Sequence, residues 1–578
     1  MRWGMVCIML VLAAPGYAAE GKIKLLAVSD ENVGLEGSVA SLSLETRPGS
    51  GRVFLETFPL SKTDTQISMR FAKQVACNQL PINCDEYDFI YTLRANSVVI
   101  GGPSAGAAAT VLTYAVLVDL PIADDIAITG SINSGGLIGG VGGIQQKIVA
   151  AGENNIKTVI IPSGKRIINE KNQSVDLVEF GAQRNVKVIE VKRIDEALGI
   201  ITGRTIAPRK VEVSIDPGYA SLMRNVSMDL CDRAQRLKSQ YQLMLSDHEL
   251  NLSFVELESQ ARRSEEQSAQ AFVKGDFYSA ASFCFRAGIN YHMLAQSIRG
   301  ASGTEVDLAA WRLREQVKLF GDRLRGTNIT TLTDVQTSII VDERLSEAQD
   351  TIDGLLKQES NLTKALALAQ ATERVESAVA WSRFFGQPGV HYEVDPVALQ
   401  RSCEDKIREA EERYQYVQIY IQRSLGGIKQ EIERAGDDLF ASRYELCLSK
   451  AAKAKAEADV LISLLGTDPA AIIELVDNKL AVAKVAIADS QAKGIFPILG
   501  YSYYQFAGSL KETDPQSAIL FAEYALEFSN LDLYFQRAAS QSITGASIAS
   551  FQSNGLEYLP WILGGIIVGM AVAGSRRV

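Results

Sequence analysis

The rhythm of apolar residues changes near residue 210, and that change constrains this chain more than any other feature of its sequence. Upstream, short apolar runs alternate with Gly-rich turns. Downstream, long stretches rich in Ala, Leu, Glu, Gln, Arg and Lys keep a helical period with almost no strand signal. The 578 residues are too many for one hydrophobic core, and ~100–200 residues per domain predicts about three units. The upstream pattern predicts strands over 23–28, 38–44, 52–56, 88–93, 127–129, 158–161 and 187–191. It predicts helices over 66–75, 105–119, 145–153 and from 193 onward, so 20–206 reads as one α+β or α/β domain. A link over 207–218, bearing Pro208 and Pro217, closes it. A large all-α region over 219–553 follows, with a break near 386–396 at Gly386-Gln387-Pro388-Gly389 and Pro396. Residues 271–281 resemble the turn of a helical hairpin, but no second copy recurs at a fixed period. A bundle or irregular stack of hairpins is expected.

The two ends carry signals of their own. Residues 1–19 combine Arg2, an apolar run over 3–14 and small residues before a polar chain. That is the pattern of a secretory signal peptide cut near Ala18 or Ala19, with an uncleaved anchor as the alternative. Residues 558–575 are apolar, preceded by Glu557 and followed by Arg576-Arg577, which predicts one C-terminal transmembrane helix. Both ends predict a single-pass protein of the cell membrane, with most of the chain outside the cytoplasm. Six cysteines follow the leader, and proximity suggests Cys77 with Cys84, Cys231 with Cys284 and Cys403 with Cys447. The net charge of −10 argues against a nucleic-acid surface. Three scattered His and no CxxC leave no pattern for a metal site, and no cofactor is expected.

One turn stands out chemically. Within Gly101-Gly102-Pro103-Ser104-Ala105-Gly106, a serine opens an apolar helix among residues small enough to admit a substrate backbone. The helix N-terminus adds free N–H groups and a positive dipole end. Taken alone, such a serine is more often an N-cap. No histidine lies between 20 and 206, so a Ser-His-Asp triad cannot be built within this domain. The remaining base is a lysine kept neutral by burial. Lys147 fits, on a predicted helix after Gly142-Gly143 with no acidic residue until Glu153, although by composition alone it is more often a surface lysine.

The stretch Gly102-Pro103-Ser104-Ala105-Gly106 resembles the nucleophile motif of the Lon proteases. The similarity continues through Ile128-Thr129-Gly130-Ser131-Ile132 and Gly140-Val141-Gly142-Gly143-Ile144-Gln145-Gln146-Lys147, then Ile160-Ile161-Pro162 and Ile194-Asp195-Glu196-Ala197-Leu198. The 43 residues from Ser104 to Lys147 match the spacing of the family's Ser-Lys dyad. The resemblance implies a Lon-type proteolytic domain over 20–206, with Ser104 as nucleophile, Lys147 as general base and Thr129 orienting the lysine. It also implies protein or peptide substrates and a ring-shaped homo-oligomer. Gly101 stands where bacterial-type members carry an acidic residue, and Ile90-Tyr91-Thr92-Leu93 replaces a strand that carries histidines in them. No GxxxxGK[ST] phosphate loop occurs in these residues, so no ATP is expected. The expected function is an ATP-independent, membrane-anchored serine endopeptidase. The alternative is a non-catalytic surface protein that reuses the domain for assembly and binds a partner through its helices.

Overall fold

The structure, a computed structural model, describes residues 19–31, 34–61, 63–80, 82–100, 103–132, 136–170, 173–204, 211–245, 252–300, 302–391, 395–421, 425–464 and 472–529. The chain begins with β1 (Ala19–Glu31), β2 (Gly34–Pro48) and β3 (Val53–Ser61), then α1 (Thr63–Asn78) and β4 (Tyr87–Ile100). These strands form a sheet in the order β1-β2-β4-β3. β2 pairs antiparallel with β1 and β4, whereas β3 and β4 run parallel because α1 carries the chain back between them. Leu42, Leu44, Phe89, Tyr91 and Leu93 alternate onto the buried face, under α1 and α2 (Gly106–Leu117).

A second sheet follows from β5 (Ile126–Ile128), the hairpin β6 (Ser131–Ile132) and β7 (Ile138–Gly139), and α3 (Ile144–Glu153). Next come β8 (Thr158–Pro162), the hairpin β9 (Ile167–Glu170) and β10 (Gln173–Asp176), α4 (Leu177–Ala182), β11 (Lys187–Val191) and α5 (Ile194–Thr202). Here β11, β8 and β5 lie side by side, all parallel. A parallel sheet needs cover on both faces, which explains the unbroken apolar run in β8. Ile160 joins the core containing α2 and α5, while Val159 and Ile161 join the core containing α3 and α4. The strands and helices expected from the pattern overlap these elements. The two hairpins and α4 went unread because segments of two to six residues are too short to show a period.

The helical half runs through α6 (Pro217–Leu245), α7 (Leu252–Lys274), α8 (Phe277–Arg299), α9 (Gly303–Arg325), α10 (Leu332–Leu355) and α11 (Asn361–Trp381). It continues with α12 (Pro396–Tyr420), α13 (Gly426–Phe440), α14 (Tyr444–Leu464), α15 (Ile472–Ala492), α16 (Ile498–Leu510) and α17 (Pro515–Ser529). The turn at Gly275 joins α7 to α8 as the hairpin reading expected, with φ at 81°. The Gly/Pro-rich break falls between α11 and α12, where the Asp395 carboxylate caps a helix that begins at Pro396. Three disulfides, Cys77–Cys84, Cys231–Cys284 and Cys403–Cys447, pair the cysteines that proximity suggested.

The two halves belong to one compact unit. Lys192, just after β11, pairs with Glu474 of α15 at 2.5 Å. The ring of Phe71, on α1, lies 5.8 Å from the amines of both Lys406 and Lys455.

One expectation is corrected. A transmembrane helix over 558–575 was expected, and with it a single-pass membrane location outside the cytoplasm. No helix among the described residues is long and apolar enough to cross a membrane. The long ones carry charge through their length, as α6 does with Arg224, Asp229, Arg233 and Lys238. The apolar α16 has only 13 residues, about 20 Å at the helical rise. The stretch 558–575 and residues 1–18 of the leader expected over 1–19 lie outside the described residues; Ala19 is the first residue of β1.

Candidate active site

Ser104 sits in a single 3₁₀ turn, Pro103–Ala105, that leads into α2. It does not cap that helix: the N-cap is Ala105, and no side chain takes the role. The N-cap reading of this serine is therefore not the one the fold adopts. Two backbone bonds tie the turn to the segment after β5. Gly130 N–H donates to the Ser104 carbonyl at 3.1 Å, and Ala107 N–H donates to the Gly130 carbonyl at 3.0 Å. Ser104 itself is half-buried.

Thr129 is the first residue beyond β5, and its N–H donates to the Ile160 carbonyl of β8 at 3.0 Å. Its side chain is fully buried. Lys147 lies one turn into α3 and is 3% exposed, so it is not a surface lysine. Its amine donates to Thr129 Oγ1 at 2.9 Å. Two glycines let α3 come this close. Gly143, which opens the helix, has φ at 65°, and a Cβ there would meet Val28 Cγ2 at 2.7 Å. At Gly37 of β2, a Cβ would meet the Gln146 carbonyl at 2.1 Å.

Burial pushes the Lys147 amine down to about 7, with desolvation as the cause. No carboxylate offsets it, so near neutral pH a large share of this lysine carries a free lone pair. The structure thus joins Thr129 and Lys147 directly, and brings Ser104 to them through the backbone of Gly130. Among the described residues no hydrogen bond links Ser104 to Lys147. In unliganded sites such bonds are often long and tighten when substrate binds.

Thr129 stands at the carboxyl end of a parallel strand, the edge at which ligands bind in open α/β sheets. Thr129 follows β5, Ser163-Gly164-Lys165 follow β8, and Lys192 follows β11. Sequence reading missed Lys165. Its burial depends on the helical half folding against it, and no local pattern carries that information. In the helical half, Asp459, Glu523 and Glu527 converge closely enough to hold a cation. Arg413, Lys455, Lys479 and Lys406 already pair with them, so their charge is neutralised by protein.

Residues 67–202 match the family model described as the Lon protease (S16) C-terminal proteolytic domain. A Lon protease of Xanthomonas oryzae pv. oryzae is 37% identical over 111 residues, covering 19% of this chain and 12% of that protein. One from Trichlorobacter lovleyi is 30% identical over 167 residues, covering 28% and 20%. One from Mycoplasma mobile is 27% identical over 208 residues, covering 33% and 24%. The chain therefore spans less than a quarter of the length of these relatives, and its helical half lies outside the family match. The stretch that holds Ser104, Thr129 and Lys147 is thus a proteolytic domain of the Lon protease family.

Proposed function

We propose that this chain is a serine peptidase acting on unfolded proteins or peptides through a Ser104–Lys147 dyad. Neutral Lys147 takes the hydroxyl proton as Ser104 Oγ attacks the peptide carbonyl. The resulting lysinium returns that proton to the leaving amine, which leaves an acyl-serine. Lys147 then takes a proton from the water that cleaves the ester, and gives it to Ser104. Thr129 Oγ1 holds the amine in place throughout, and the N-terminal end of α2 favours the developing oxyanion. The observation that carries the reading is Lys147: a buried amine on a hydroxyl acceptor, with no counter-charge. With no phosphate loop in the chain, the reaction is read as needing no ATP.

The test uses the intact chain, casein and a fluorogenic peptide pool, without nucleotide. Cleavage by the parent, abolished in both Ser104→Ala and Lys147→Ala, is the expected result. Cleavage surviving in Ser104→Ala would refute the dyad. A folded parent that cuts nothing, itself included, would favour the binding-and-assembly alternative. Self-association, which the resemblance implies, has support in the edge strand β3, where Phe58 is 79% and Leu60 74% exposed. Light scattering on the parent and Phe58→Lys tests it.

A further inference from the structure

A cavity of about 80 Å³ lies where the helical half meets the carboxyl edge of the parallel sheet. One wall comes from the β6–β7 hairpin, with Ser131, Gly139 and Gly140, and from Ser163–Lys165 beyond β8. The opposite wall comes from Ile462 and Ser463 of α14 and from Leu475 and Asn478 of α15. Ser131 directly follows Gly130, whose N–H donates to the Ser104 carbonyl at 3.1 Å, so one residue of backbone links the cavity wall to the Ser104 turn.

The charges around this cavity pair off, with one left over. Lys192 pairs with Glu474, Arg413 with Asp459 and Lys479 with Glu523. The remaining charged group of the lining is Lys165. It is 4% exposed, and its Nζ has no hydrogen-bond partner among the described residues. The nearby Glu190 carboxylate accepts instead from the backbone N–H groups of Lys165 and Arg166, at 3.0 and 3.1 Å. Space for the lysine exists because residue 140 has no side chain: a Cβ there would lie 2.7 Å from Lys165 Cε and 3.2 Å from the Ile462 carbonyl. Arg413 also leaves Nη1 without an acceptor, against one carboxylate oxygen, Glu523 Oε1, without a donor. A buried cation without a counter-ion is costly, and an anion that enters relieves that cost.

We infer that this cavity is a substrate subsite that takes a carboxylate, with Lys165 as its anchor and the helical half as its far wall. Its size suits a side chain rather than a folded partner. The ligand is an acidic residue of the peptide chain near the scissile bond. The helical half then does more than hold the catalytic half in place: it completes the pocket that selects the substrate. The inference rests on the peptidase reading for its meaning, but it can be tested apart from it.

The first arm compares intact parent with Lys165→Met and Asn478→Phe on peptide pairs that differ only as Asp against Asn, or Glu against Gln, at each position around the cleaved bond. The parent should favour the acid by about ten-fold or more in kcat/KM at one position, the scale of a buried charge-assisted bond. That ratio should collapse toward one in both variants, and Lys165→Glu should reverse it toward basic peptides. A parent without acid preference, or a Lys165→Met that keeps it, overturns the proposal. The second arm measures binding of the same pairs to the Ser104→Ala chain by calorimetry, so the subsite is judged even if nothing is cleaved. Acid-selective binding lost with Lys165 supports it, and equal binding of acid and amide overturns it. A third peptide, with an amidated side chain but a free C-terminal carboxylate, identifies the carboxylate read. If only the chain terminus is selected, the side-chain assignment fails.

Discussion

Lys147→Met removes a group that the fold holds against its own chemistry, and its effect on stability should depend on pH in a defined direction. In the folded chain the amine titrates at about 7; in the unfolded chain it returns to about 10.4. Between those values the unfolded state binds more protons, so Lys147 destabilises the fold most at low pH and least above the unfolded value. Linkage puts that destabilisation at ~5 kcal/mol near about pH 6, ~3 near about pH 8 and ~1 near about pH 10. Methionine of similar length removes all of it. The variant also strands the Thr129 hydroxyl that accepted the lysine bond at 2.9 Å, at a cost of ~1 kcal/mol. The net expectation is a gain of ~4, ~2 and ~0 kcal/mol across that series. Urea pulse proteolysis, scored on the fragment carrying residues 19–204, measures it in the half that matters. The same protein should have no peptidase activity, so stability and function move in opposite directions. A difference between variant and parent that stays constant with pH would refute the reasoning, because the amine would then titrate alike in both states.

Three further outcomes follow from the same geometry. The kcat/KM of the parent should rise with pH through about 7, as Lys147 loses its proton, rather than through the ordinary lysine range. Thr129→Val should lower kcat by about 10–100-fold and move that limb, with Thr129→Ser restoring both, because the hydroxyl is what positions the amine. Replacing Cys231 and Cys284 by serine opens a bridge of sequence separation 53; loop entropy sets the loss at up to ~4 kcal/mol, read as a lower urea midpoint for the fragment carrying α6 to α8.

The local pattern carried the division into an α/β and an all-α half, most of the strands, and the three residues now placed around one site. These are legible because period, turn chemistry and motif spacing are properties of neighbours in the chain. Ser104 stood out through its turn and Lys147 through the uncharged stretch around it, Thr129 came only from the resemblance, and the fold then set Thr129 and Lys147 in contact. The state of Lys147 was not written there. Nothing local separates it from a surface lysine, and its neutrality comes from α3 being pressed onto β1 and β2 at Gly143 and Gly37. Lys165 is the sharper case: its burial comes from α14 and α15, some 300 residues away. Desolvation depends on everything packed around a group, whatever its distance in sequence. The sequence alone therefore determined which residues could do chemistry, and only tertiary packing decided which lysine lost its water and which pocket kept an unpaired charge.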